Sequence, residues 1–316
     1  MGVDQPYLSR RQNWITQLER HALMQPDATA LRFKGRTITW TQLDGRVTAL
    51  AGALHRRGVG SGDRVMILML NRPEFIEATL AANRLGAIAV PVNFRLTVPE
   101  LAYLVENCGA AVVLTEPALV ALAAGVRDIA SVLATVIVAE ESTAPTDPNL
   151  LGYEDLLAEE GEPAPPIDIP GDSPALIMYT SGTTGHPKGA VLTHANLAAQ
   201  AMTAIYSTGA DIADEVGFIG VPLFHIAGIG GMFPAMTLGT PTVIHPVGGF
   251  DPGDLLDVLA EESVTGLFLV PAQWQAVCAE QQHRPRALSL RRLSWGAAPA
   301  SDTLLHQMAR TFGDVT

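Results

Sequence analysis

Between residues 64 and 139, short runs that are apolar at nearly every position alternate with stretches of helical periodicity. This alternation restricts the chain to one kind of fold. Residues 64–70, 87–93, 111–115 and 135–139 read as strands, and residues 73–85, 98–108 and 117–126 as the helices between them. A strand with one wet face alternates apolar and polar side chains, whereas a strand covered on both faces is apolar throughout. Units of this kind build parallel sheets with right-handed crossovers. Upstream, Trp14, Ile15, Leu18, His21 and Ala22 fall at helical spacing and predict an opening helix that ends before Pro26. Residues 30–33 and 37–40 predict a hairpin about Lys34-Gly35-Arg36, and Thr41 is the expected cap of the next helix, which Gly58 stops.

Residues 140–174 change character. Seven prolines (145, 148, 163, 165, 166, 170 and 174) and several acids read as a surface linker, interrupted by a short helix at 153–160. The α/β rhythm then returns. Strands are expected at 190–192, 216–221, 242–245, 266–270 and 290–295. Helices are expected at 196–206, within 226–238, from the Asp251 cap to 262, at 272–280 and at 301–312. The expected fold class is α/β: two layered subdomains with mainly parallel sheets covered by helices, divided as 1–170 and 171–316. A chain of 316 residues exceeds the usual ~100–200 of one domain, which agrees with two subdomains.

Apolar residues make up 48% and charged residues 16%, enough for a large core. The net charge of −12 and the absence of a basic run argue against a nucleic-acid partner. Cys108 and Cys278 have no metal or redox spacing, so free thiols in a reducing compartment are expected. No basic-then-apolar leader is present, and the longest apolar stretch, 223–239, is short and broken by glycines. A soluble cytoplasmic protein is expected, with peripheral membrane contact and homodimerisation both left open.

The chemistry concentrates in Tyr179-Thr180-Ser181-Gly182-Thr183-Thr184-Gly185-His186-Pro187-Lys188-Gly189. Apolar runs at 175–178 and 190–192 flank it. Glycines let a backbone fold its N–H groups around one point, and hydroxyl donors with an ammonium make a polyphosphate the natural guest. Lys188 stands three positions after Gly185, so this is not a Walker loop, and G-x-G-x-x-G is absent. Such a connector is often only a solvated hairpin. Against that reading, the run has no acid and holds one of just two lysines in a chain with eighteen arginines.

At these residues the sequence resembles the adenylate-forming superfamily of acyl-CoA synthetases, luciferases and peptide-synthetase adenylation domains, whose phosphate-loop signature matches in full. The resemblance runs from about Asn13 to the end. It implies ATP-dependent activation of a carboxylic acid to acyl-AMP, with Mg²⁺ on the phosphates and transfer of the acyl group to CoA. Thr180, Ser181, Gly182, Thr183, Thr184 and Gly185 would supply donors to the phosphates. Lys188 would supply countercharge or hold the loop. Thr180 or Thr184 would lie near the metal.

His225 sits in Pro-Leu-Phe-His-Ile-Ala-Gly after an expected strand. A lone histidine there is commonly structural. The resemblance implies instead that His225, with Ala227 and Gly228, adjoins the acyl pocket and shapes the route of the thiol. Gly296-Ala297-Ala298-Pro299 resembles the family's Gly-Gly-Ala-Pro turn, one wall of the adenine slot, with Trp295 and Ala297 departing from the usual pattern. His194, His245 and the other histidines are expected to be structural, and Asp211, Asp214 and Glu215 a solvated turn.

Amino-acid-activating relatives carry an aspartate near the His225 segment, and none occurs in 221–232. A non-amino carboxylic acid is therefore expected. Small apolar residues at 226–232 make a medium- or long-chain fatty acid the first choice and an aryl or short branched acid the second. The family continues past the point matched by Phe312 with a ribose-binding aspartate, a hinge and a small C-terminal domain carrying a catalytic lysine. None of these is in the sequence. The expectation is an N-terminal fragment, its C-terminal small domain absent, with little or no turnover alone. Two other readings stay open: a fatty-acyl-AMP ligase that feeds a carrier protein, and a non-catalytic nucleotide-binding module.

Overall fold

The computed structural model describes residues 13–133, 135–139, 150–180, 185–209, 215–313 and 315. The apolar runs become the strands of a seven-stranded sheet. These are β3 (Arg64–Leu68), β4 (Ile88–Pro91), β5 (Val112–Thr115), β6 (Thr135–Val138), β7 (Leu150–Gly152), β8 (Pro174–Thr180) and β9 (Lys188–Thr193), in the order β7-β6-β5-β3-β4-β8-β9. All neighbours are parallel except β8 and β9. Strands β4 and β5 are buried along their whole length, as two covered faces require. Strand β7 was not expected, because three residues are too few to show a period.

A four-stranded sheet takes β1 (Thr29–Phe33) and β2 (Arg36–Thr39) from the start of the chain, and β10 (Gly217–Ile219) and β11 (Thr242–Ile244) from its second half, ordered β10-β11-β1-β2. Parallel pairing sets Leu31 against Thr242. Strands β12 (Gly266–Leu269) and β13 (Arg292–Trp295) form a separate parallel pair. Both larger sheets therefore draw strands from either side of residue 170. One buried core likewise runs from Trp14 to Ile244.

The helices fill the crossovers. They are α1 (Trp14–Met24), α2 (Trp40–Arg56), α3 (Pro73–Arg84), α4 (Val98–Cys108), α5 (Val120–Arg127), α6 (Tyr153–Ala158), α7 (His194–Thr208), α8 (Ile226–Leu238), α9 (Pro252–Glu261), α10 (Pro271–His283) and α11 (Asp302–Phe312). Helix α2 starts two residues earlier than expected. Thr39 caps it in place of Thr41, because Gln42 stands three positions on and closes a reciprocal box: Gln42 N donates to Thr39 Oγ1 at 3.2 Å, and Thr39 N to Gln42 Oε1 at 2.9 Å. Asp251 caps α9 as expected, accepting from the Gly253 and Asp254 amides.

Helix α3 is buried on all sides, polar residues included. Those residues are paired. Glu77 takes Arg46 at 2.8 Å and the Tyr153 hydroxyl at 2.7 Å, and Asn83 accepts from Trp14 Nε1 at 2.6 Å while donating to the Ala87 and Ala175 carbonyls. Glu215 corrects the expectation of a solvated turn. It is 7% exposed, and Arg292 grips it through both guanidinium ends while Thr265 donates a third bond. Burial works to raise its pKa, and these donors outweigh it, so the carboxyl titrates below its ordinary value. Asp211 and Asp214 lie outside the described residues. Cys278 is buried and Cys108 partly so, both as free thiols. Among the described residues no helix is long and apolar enough to cross a membrane.

Two local features generate tests. His194 opens α7 at 2% exposure, its Nδ1 has no hydrogen-bond partner among the described residues, and burial lowers its pKa to about 4. The folded ring is thus neutral where an unfolded one, with a pKa near ~6.5, is charged. Its contribution is complete above about pH 6.5 and is lost as pH falls toward 4, with about 2 kcal/mol gone at pH 5. Denaturation at pH 7 and pH 5 should show a larger loss for the native chain than for His194→Leu; equal losses would count against a buried neutral ring. Ala297 holds φ at +65°, a left-handed conformation that costs an L-residue roughly 1–2 kcal/mol. Ala297→Gly should therefore raise stability in urea by about 0.5–1 kcal/mol after its entropy cost, and a loss of stability would contradict that backbone geometry.

Candidate functional site

The phosphate-loop stretch is the connector of an antiparallel hairpin. The ladder between β8 and β9 runs farther than the apolar runs indicated: Tyr179 faces Gly189, and Thr180 faces Lys188. Lys188 therefore stands directly across from the last residue before the connector. It is exposed and has no ion-pair partner among the described residues. Gly185 has φ +107°, a conformation that strains any other residue. Ser181, Gly182, Thr183 and Thr184 lie outside the described residues.

The hairpin is fastened from two sides. On one side β8 pairs with β4. On the other, α4 reaches over it. The Tyr103 ring stacks on His186 at 4.7 Å and 24°, its hydroxyl is 3.5 Å from the Pro187 carbonyl, and the Tyr179 hydroxyl donates to Asn107 Oδ1 at 2.6 Å. Burial pushes the Tyr179 pKa up, so it remains a neutral donor.

A cleft of about 760 Å³ opens beside the hairpin at the carboxyl ends of β4 and β8. That is where open α/β sheets bind ligands. Its lining includes Thr180, Gly185 and His186 from the hairpin, Asn93 after β4, Tyr103 of α4, and Phe224 with His225. Thr180, Gly185 and His225 are thus brought together as expected. The β4 and α4 wall was missed. The rule about strand ends points to Asn93, but nothing local in the sequence marks Tyr103. A smaller cavity of about 180 Å³ between α1, α7 and α8 contains none of the expected site residues.

His225 caps α8, and its Nδ1 accepts from the Ala227 amide at 3.3 Å. In the neutral ring the Nε2 then carries the proton, and it has no acceptor among the described residues. The Phe224 ring meets Phe94 edge-on at 5.4 Å. Ala227 and Gly228 do not line the cleft. Gly228 is buried against its own turn, where a Cβ would fall 2.2 Å from the Pro222 carbonyl oxygen, so its small size closes the turn onto the helix. The turn Gly296-Ala297-Ala298-Pro299 follows β13 in the separate strand pair and is also outside this lining. Gly296 backs onto Phe268, whose ring a Cβ would approach to 2.9 Å.

Among the described residues no group of three or more His, Cys, Asp or Glu could hold a metal ion. Thr180, one of the two residues expected near a metal, offers neutral oxygens only. A magnesium ion here would draw most of its six oxygens from a ligand's phosphates and water, which fits its chemistry.

The profile of the family described as AMP-binding enzyme matches residues 18–316. A feruloyl-CoA synthase of Amycolatopsis sp is 38% identical over 283 residues, 89% of this chain and 53% of that protein. An indoleacetate–CoA ligase of Aromatoleum aromaticum is 35% identical over 300 residues, covering 94% and 57%. Among solved structures, the o-succinylbenzoate CoA synthetase of Bacillus subtilis in complex with ATP and magnesium superposes with a TM-score of 0.80 at 26% identity, over 95% of this chain and 57% of that one. The chain spans about half the length of the curated relatives it matches. By the match across residues 18–316, it belongs to the AMP-binding enzyme family.

Proposed function

We propose that this chain carries the nucleotide- and acid-binding part of an acid–CoA ligase. The reading is carried by one observation: Thr180, which lines the cleft together with His225, pairs directly across the hairpin with Lys188, which itself lies outside that lining. The β- and γ-phosphates of ATP would lie on the hairpin, with Lys188 and backbone donors neutralising their charge. Magnesium, when bound, would screen the phosphate oxygens beside Thr180. The substrate carboxylate attacks the α-phosphorus, the bond to the bridging oxygen breaks, and pyrophosphate leaves, so that the acid becomes an acyl-AMP. The CoA thiol then attacks the acyl carbonyl and AMP departs. This chain's part is to bind, orient and neutralise charge. The turn Gly296-Ala297-Ala298-Pro299 remains our candidate for the adenine wall, presented from the end of β13.

For the acid, we favour an aryl carboxylate over the fatty acid that the small apolar segment suggested. Ile229, Met232 and Gly228 of that segment face the core, which removes them from any tail-binding wall. The cleft is lined by the rings of Phe224, Tyr103 and Tyr179 together with Val92, Leu96, Leu104, Met178 and Ile226, and the rings suit a flat substrate. Two of the relatives are named for aromatic acids, ferulate and indoleacetate.

Exchange of labelled pyrophosphate into ATP tests this with the protein's full chain and a panel of aryl, fatty and amino acids. Aryl acids should drive exchange best, and exchange driven by amino acids alone would refute the reading. Lys188→Ala should lower kcat/KM for ATP roughly 10–100-fold, the worth of a charge-assisted contact to phosphate, with thermal stability unchanged. An unchanged kcat/KM would remove Lys188 from the site.

A further inference from the structure

Asn71 lies just beyond β3, the strand from which β4 and β5 depart to opposite sides of the sheet. Such a switch in strand order is where α/β sheets form their ligand crevice. Asn71 is 3% exposed, and its amide is used at both ends. Its Oδ1 accepts from the Leu223 amide at 2.8 Å, and its Nδ2 donates to the Val221 carbonyl at 2.9 Å and the His245 carbonyl at 3.1 Å. Two carbonyls on one side and an N–H on the other admit a single orientation of the amide. The backbone on either side is fixed as well: Leu70 N donates to Glu116 Oε2 at 3.2 Å, and the Arg72 carbonyl accepts from Phe75 N at 3.1 Å. One side chain thus joins the carboxyl ends of β3, β10 and β11, which belong to two different sheets.

The gripped residues, Val221 and Leu223, open the turn that ends at His225, and His225 N closes it by donating to the Pro222 carbonyl at 3.0 Å. We propose that Asn71 is a positioning residue for the acid-binding wall, holding Phe224 and His225 at their station opposite the phosphate hairpin. This rests on the function proposed above. Asn71 does not itself line the cleft. The hairpin is held separately, through β4 and α4. Loss of the Asn71 amide should therefore be felt on the acid side and not on the nucleotide side.

The test compares Asn71→Ala and Asn71→Asp with the parent in pyrophosphate exchange, using the full chain and the best acid of the panel. KM for the acid should rise about tenfold, the worth of one to two buried hydrogen bonds, while KM for ATP stays within about twofold. In Asn71→Asp the carboxylate faces two carbonyls, so its acid KM should improve as pH falls and the carboxyl regains a proton to donate. A purely structural residue would show neither the split nor the pH recovery. In parallel, hydrogen exchange on this chain should show the Leu223 amide opening about tenfold faster in Asn71→Ala, with Val191 and Leu192 of β9 unchanged. Equal change in both KM values, no change in either, or unfolding of both variants would overturn the proposal. A parent that exchanges pyrophosphate with no acid would instead defeat the proposed function, and the hydrogen-exchange comparison would still decide whether Asn71 holds the turn.

Discussion

The site depends on one ladder of backbone hydrogen bonds, the antiparallel pairing of β8 with β9. In a sheet whose other neighbours are parallel, this pair alone can be joined by a short connector, because parallel strands need a crossover. The connector is therefore held by the sheet at both ends. Its first and last flanking residues, Thr180 and Lys188, lie across from each other. A glycine-rich segment in a free loop would lose conformational entropy on gripping a ligand. Here strand pairing, the Tyr103 stack on His186 and the bond from Tyr179 to Asn107 hold the two flanks in place before a ligand arrives.

The second wall is built by different means. The turn at 221–225 follows β10 in another sheet, and its distance from the hairpin is set by buried contacts between the sheets. Asn71 is the polar member of that join, and the largely apolar α8 behind it supplies the packing. Gly228 lets the helix start tight against the turn. The cleft is thus the gap left between two separately anchored elements.

Much of the architecture could be read from the sequence, for identifiable reasons. Strands buried on both faces leave apolar runs, and a cap such as Asp251 acts within three residues. What escaped depends on partners far away in the chain. Nothing near Leu31 reveals that it pairs beside Thr242, and nothing near Glu215 announces Arg292. A charged residue in an acidic stretch reads as solvated until its partner is known. Strand β7 was too short to show a pattern. At the site, the motif located the hairpin and His225. Tyr103 remained invisible because an aromatic residue on an amphipathic helix looks like ordinary core. Ala227 and Gly228 were assigned to substrate from their place in a motif, and their packing gives Gly228 a different task.

The central claim is that the hairpin receives the phosphates and that Lys188 faces them. The chain contains two lysines, Lys34 and Lys188, both exposed, so each is a control for the other. Amine acetylation followed by mass spectrometry, with and without ATP and magnesium, reads both in one experiment. The account predicts that nucleotide slows the modification of Lys188 and leaves Lys34 unchanged. Equal labelling of Lys188 in both conditions, at ATP concentrations that saturate binding, would contradict it.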